Sequence, residues 1–114
     1  MQIHVQKNIV RAVVATWLCA SALAAMPASA AVRVLATTPE WASLVRELGG
    51  EQVDVYAATS AFQDPHRIEA RPSLVARARN ADLVVAAGAE LEIGWLPVLL
   101  RESGNARIQP GAPG

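Results

Sequence analysis

The sequence predicts an α/β protein, a parallel sheet flanked by helices. Short β-branched runs alternate with stretches whose apolar residues recur at helical spacing. One run, Leu83-Val84-Val85-Ala86-Ala87, is continuously apolar, as suits a strand covered on both faces of a parallel sheet. Glycine and proline mark the boundaries between the two kinds of segment.

Residues 32–37 are β-branched and read as the first strand. Thr38-Pro39-Glu40 opens a helix, with Thr38 as the cap, Pro39 at the first position and Glu40 at the positive end of the dipole. Trp41, Leu44, Val45 and Leu48 follow at helical spacing, and Gly49-Gly50 stops the helix. Residues 51–57 alternate apolar and polar in their first half, as a half-exposed or edge strand does. Residues 59–71 form a loop. Pro72-Ser73 opens a second helix to about Asn80, with Leu74, Val75, Ala78 and Ala81 on its apolar side. The 83–87 strand ends at Gly88. Leu91, Trp95, Leu96, Leu99 and Leu100 are spaced for a third helix, restrained by Pro97 and ended by Ser103-Gly104. Residues 106–109 would begin a further strand. Strands joined through helices imply a parallel sheet, whose ligands bind at the carboxyl ends of the strands.

The amino-terminal end has the pattern of an export signal. Lys7 and Arg11 precede an apolar run over residues 12–26, too short to cross a hydrocarbon core of about 30 Å. Ala28-Ser29-Ala30 then supplies a small-residue cleavage site, so residues 1–30 read as a signal peptide and residues 31–114 as the mature, periplasmic part. Cys19 is preceded by Trp17-Leu18 rather than by two small residues, which argues against a lipid-modified cysteine. The mature part has no cysteine, hence no disulfide and no thiolate chemistry. Removing Lys7 and Arg11 leaves eight basic against ten acidic side chains, with no basic footprint for nucleic acid. No further apolar run is long enough for a membrane span. The Pro-Gly-Ala-Pro-Gly tail reads as the middle of a protein, so residues 31–114 are expected to be a partial α/β lobe of a longer chain.

His66 is the only histidine after the leader, and it stands in Asp64-Pro65-His66. Neutral imidazole is a common metal ligand, and Pro65 stiffens the backbone beside it. Taken alone, a loop histidine is more often a surface or capping residue. Asp64 reads as a cap of the Asp-Pro turn in preference to a partner supporting His66 as a ligand, Glu69 as a solvated carboxylate, and Glu90 and Glu92 as charges at a helix N-terminus. Trp41 and Trp95 read as core anchors. A catalytic His66 would need a nucleophile and an orienting partner, and no recognised frame supplies them.

An ordered set of motifs goes further. Gly49-Gly50 with Val53-x-Val55, then Asp64-Pro65-His66, Glu69-Ala70-Arg71-Pro72-Ser73, Ala81-Asp82-Leu83-Val84-Val85, and Leu91-Glu92 with Trp95-Leu96 occur at consistent spacings. Together they resemble the periplasmic metal-binding proteins of zinc and manganese ABC importers, over nearly the whole mature part. The sequence departs from that pattern at Ile68, where an aromatic residue is frequent, and at Glu90, where glycine is common.

The resemblance implies the amino-terminal part of the first lobe of a two-lobed binding protein. It implies that His66 is a metal ligand and that the function is capture of a divalent transition metal, zinc first and manganese second, for delivery to an ABC importer membrane permease. It implies no enzymatic activity. A zinc site needs about four donors with Zn–N distances near 2.0–2.1 Å, and in the family the others come from later segments. The alternatives are a secreted hydrolase-like or redox-like α/β fragment with His66 as base, or a non-functional truncated product.

Overall fold

The computed structural model describes residues 29–114. The leader expected over residues 1–30 lies outside the described residues except for its last two. The elements are β1 (Val32–Ala36), α1 (Pro39–Gly49), β2 (Val53–Ala57), α2 (Pro72–Arg79), β3 (Leu83–Val85) and α3 (Leu96–Ser103). Short 3-10 turns follow α1 at Gly50–Gln52 and α3 at Ala106–Ile108.

The three strands form one parallel sheet in the order β2-β1-β3. Val34 is in register with Val55 and with Leu83, which makes β1 the central strand. Its last three residues, Val34, Leu35 and Ala36, are all buried. The ladders run past the strand ends, where Ala58 donates its N–H to the Ala36 carbonyl at 2.8 Å and Thr37 to the Val85 carbonyl at 2.9 Å. β2 is an edge strand, as its half-polar pattern predicts. The apolar run of β3 predicts cover on both faces, and instead its three residues are half-buried. It has β1 on one side only; on the other, Val84 donates its N–H to the carbonyl of Gly114 at 3.0 Å.

Leu35 packs with Ala58, Leu74, Ala78, Ala81, Trp95, Leu99 and Ile108, so α2 and α3 cover one face. Each large side chain there stabilises the fold by about 1.5–3 kcal/mol relative to exposure. Alternation sends Val34 and Ala36 to the other face, where α1 lies against β2 and β1. Here α1 differs from expectation. Ala42 is its buried residue, and Trp41, Leu44 and Leu48 are exposed. The helix turns residues 42, 45 and 49 to the sheet, a face offset by one position from the larger apolar stripe, because the small Ala42 and Gly49 permit close approach. A Cβ on Gly49 would lie 2.5 Å from Val53 Cγ1. Trp41 is therefore not the core anchor that its spacing predicts.

The helix ends bear out the proline and glycine signals. Pro39, Pro72 and Pro97 each occupy the first or second helical position, and Gly104 closes α3 in the left-handed region at φ 62°. Thr38 stands at the α1 cap but its side chain makes no capping bond. Glu40's own backbone N–H, and then the neighbouring Thr38 side chain, hold the Glu40 carboxyl below the usual carboxylate range. Two expected elements are corrected. Residues 91–95 are turns, so α3 starts at Leu96 and not near Leu91. The strand expected over residues 106–109 is instead a 3-10 turn at Ala106–Ile108, because the Asn105 side chain accepts the Arg107 N–H and winds the chain.

Candidate metal-ligand loop

The loop after β2 leaves the carboxyl edge of the sheet, the side on which parallel sheets bind ligands. The Thr59 hydroxyl donates to the Thr37 carbonyl at 2.9 Å and ties the loop's start to the end of β1. Its far side is held by Trp95, whose indole Nε1–H donates to the Pro65 carbonyl at 2.7 Å. Trp95 is 2% exposed. It is the core anchor that the sequence predicts, and it also clamps the Asp-Pro-His turn.

His66 projects from this turn with its side chain largely exposed. Asp64 Oδ1 accepts the His66 backbone N–H at 3.0 Å and meets the ring Nδ1 at 2.8 Å. The turn-capping role read for Asp64 is therefore present, and so is a contact to the ring. The His66 backbone N–H, followed by the His66 ring, holds the Asp64 carboxyl below its ordinary range. Asp64 is thus an acceptor at neutral pH, so the neutral ring donates through Nδ1 and keeps the Nε2 lone pair for another partner. Arg67 Nε lies 3.7 Å from Asp64 Oδ2. Among the described residues, no group of three or more His, Cys, Asp or Glu side chains is placed to hold a metal ion. Glu69 and Glu90 are exposed and do not join His66.

Glu92 escaped the sequence reading. Expected as a helix-terminal charge, it is buried. Its Oε1 accepts the Thr37 hydroxyl at 2.5 Å and the Ala87 N–H at 2.8 Å, while Oε2 accepts the Gly88 N–H at 3.1 Å. The turn it closes holds Gly88, Ala89 and Glu90 at φ of 78°, 52° and 67°. The available signal was the Gly88 turn followed four residues later by an acceptor. Among the described residues, no helix is long and apolar enough to cross a membrane.

Comparison with known proteins decides the family. Residues 34–112 match the family described as zinc-uptake complex component A, periplasmic. The chain belongs to this family. Its parallel α/β architecture agrees with the first lobe expected of such proteins. The chain is similar to the manganese ABC transporter substrate-binding lipoprotein PsaA of Streptococcus anginosus, 30% identical over 80% of this chain and 30% of that protein. It is 27% identical to the metal ABC transporter substrate-binding lipoprotein SsaB of Streptococcus sanguinis, over 81% of this chain and 31% of that one. It is 29% identical to the iron ABC transporter substrate-binding lipoprotein MtsA of Streptococcus pyogenes, over 63% of this chain and 24% of that one. The match thus spans less than a third of each relative's length. The family is one of transport binding proteins, and the hydrolase-like or redox-like alternative finds no support in it. These relatives are lipoproteins; Cys19 lies outside the described residues.

Proposed function

We propose that this protein serves as a solute-binding component that captures a divalent transition metal, zinc first and manganese second, for an ABC importer permease. His66 is the ligand, donating through Nε2, and residues 1–30 act as the leader that exports residues 31–114 to the periplasm. The observation that carries the reading is the Asp64–His66 pair in a chain of this family. A carboxylate on Nδ1 fixes the tautomer and raises the basicity of the other nitrogen, the arrangement found behind most metal-bound histidines. Imidazole is a borderline donor suited to zinc, and the family description names zinc. Manganese and iron, named for the relatives, are the competing cargoes.

The test is an NMR titration of the 114-residue chain with millimolar zinc, manganese or iron(II). Zinc should move the His66 ring resonances, and His66→Ala should abolish the response of the 64–68 loop. Asp64→Ala should weaken it by about 10–100-fold, the usual effect of losing a carboxylate behind a ligand. A His66 ring unchanged at saturating zinc would overturn the reading.

A further inference from the structure

We infer that Glu92 is a positioning residue for His66, acting through the turn it closes and the Trp95–Pro65 hydrogen bond. The inference rests on the metal role proposed for His66 and extends it to a side chain that touches neither ring nor metal. A carboxylate removed from water is costly unless its oxygens are satisfied. Glu92, 4% exposed, is satisfied by Thr37 from the end of β1 and by two backbone N–H groups from just after β3. It therefore ties together the carboxyl ends of two adjacent strands.

The turn that Glu92 closes, between β3 and α3, is strained. Ala89 and Glu90 occupy the left-handed region at φ 52° and 67°, which residues with a Cβ adopt only at a cost. Such strain persists where the surroundings over-determine it, and it gathers at functional sites. Here it delivers residues 92–95 directly against the His66 loop. Trp95 and Leu96 donate their N–H groups to the Glu92 carbonyl at 3.1 and 2.9 Å. The Trp95 indole holds the Pro65 carbonyl, and Gly94 lies against the His66 carbonyl, 3.6 Å from where its Cβ would stand. One helical turn and one hydrogen bond separate Glu92 from the peptide that carries His66.

The experiment compares wild type with Glu92→Gln, Thr37→Val and Thr37→Ser in the 114-residue chain. The Glu92→Gln change turns an amide N–H toward the Gly88 N–H. Thr37→Val removes the hydroxyl, whereas Thr37→Ser keeps it. Hydrogen exchange at the Trp95 indole reports the clamp, and exchange at the Leu35 amide reports the fold. The zinc-induced shift of the His66 ring at sub-saturating zinc reports the consequence. Glu92→Gln and Thr37→Val should speed indole exchange and reduce the His66 response by about tenfold. Leu35 protection should hold, and Thr37→Ser should behave as wild type. Unchanged indole exchange overturns the inference. So does a loosened clamp with an undiminished His66 response, which would make Glu92 purely structural. If wild-type His66 ignores zinc, the functional reading fails separately, and the indole exchange still decides whether Glu92 holds the loop. Should Glu92→Gln not fold, the two Thr37 variants carry the comparison.

Discussion

The Trp95 indole N–H and the Pro65 carbonyl, 2.7 Å apart, join the core to the loop that presents His66. One side chain fills space among Leu35, Leu74 and Leu99 and also fixes the backbone next to the candidate ligand. Packing and site geometry are therefore coupled at a single residue.

Trp95→Phe separates the two roles. The ring stays in the core, but the Pro65 carbonyl loses its donor. Pro65 is half-buried, so water can replace the indole and the cost falls at the lower end, about 1 kcal/mol. Denaturant melts should show that loss with an unchanged slope, and indole-independent probes of residues 64–67 should show faster exchange. A fully stable variant with an equally protected loop would show that the bond constrains nothing.

What was legible follows from which signals are local. The strands and helices were readable because β-branching, proline at helix starts and Gly104 at a helix end act on the backbone nearby. The Asp64-Pro65-His66 loop was readable because its residues are adjacent, and the structure brings Asp64 and His66 into contact. Glu92 was not, since its partner Thr37, 55 residues away, meets it only after β1 and β3 pair. Trp41 was misplaced because helical spacing marks an apolar stripe but does not say that the sheet will prefer the smaller Ala42. Residues 91–95 matched a helical pattern, yet the positive φ of Ala89 and Glu90 delays α3 until Leu96.

Glu90 is the departure from the family pattern that the backbone explains. It sits at φ 67°, a conformation glycine adopts freely and a Cβ disfavours by about 1–2 kcal/mol. Its side chain is exposed and carries no packing. Glu90→Gly should therefore stabilise the protein, by about 1 kcal/mol or less once the extra freedom of the unfolded chain is counted. Thermal melts of the two proteins would read it, and a lower midpoint for the glycine variant would show that the turn is not strained there.

At the opposite edge of the sheet, Asp82 binds the Arg33 side chain through both oxygens, at 3.0 and 3.1 Å, and accepts the Arg33 backbone N–H at 3.0 Å. Arg107 reaches the same carboxylate. Chiefly the Arg33 side chain, then its backbone N–H, holds the Asp82 carboxyl far below the usual range. A carboxyl with a lowered folded pKa contributes stability that is full above its unfolded value, near 3.9, and is lost as pH falls through the lowered one. Stability should thus decline below about pH 4 in wild type. Asp82→Asn should be less stable at neutral pH, with the difference shrinking in acid. Parallel acid-denaturation curves for the two proteins would remove Asp82 as the cause.

The 114-residue chain should itself bind zinc weakly. Zinc favours about four donors, and the described residues hold no group of three or more candidate ligands placed together. His66 offers one nitrogen, while Asp64 Oδ1 is already shared between the His66 N–H and its ring. Glu92 is closed off by its own three donors. Stabilisation follows RT ln(1 + [L]/Kd), so even free zinc equal to the dissociation constant adds only about 0.4 kcal/mol. For a domain of this size that is a midpoint shift of about 2–3 °C, and micromolar zinc, well below a weak dissociation constant, should give less. The same chain at millimolar zinc should still show the His66 ring shift. A large thermal shift at micromolar zinc, abolished by His66→Ala, would instead mean that the chain assembles a complete donor set, within one copy or between two.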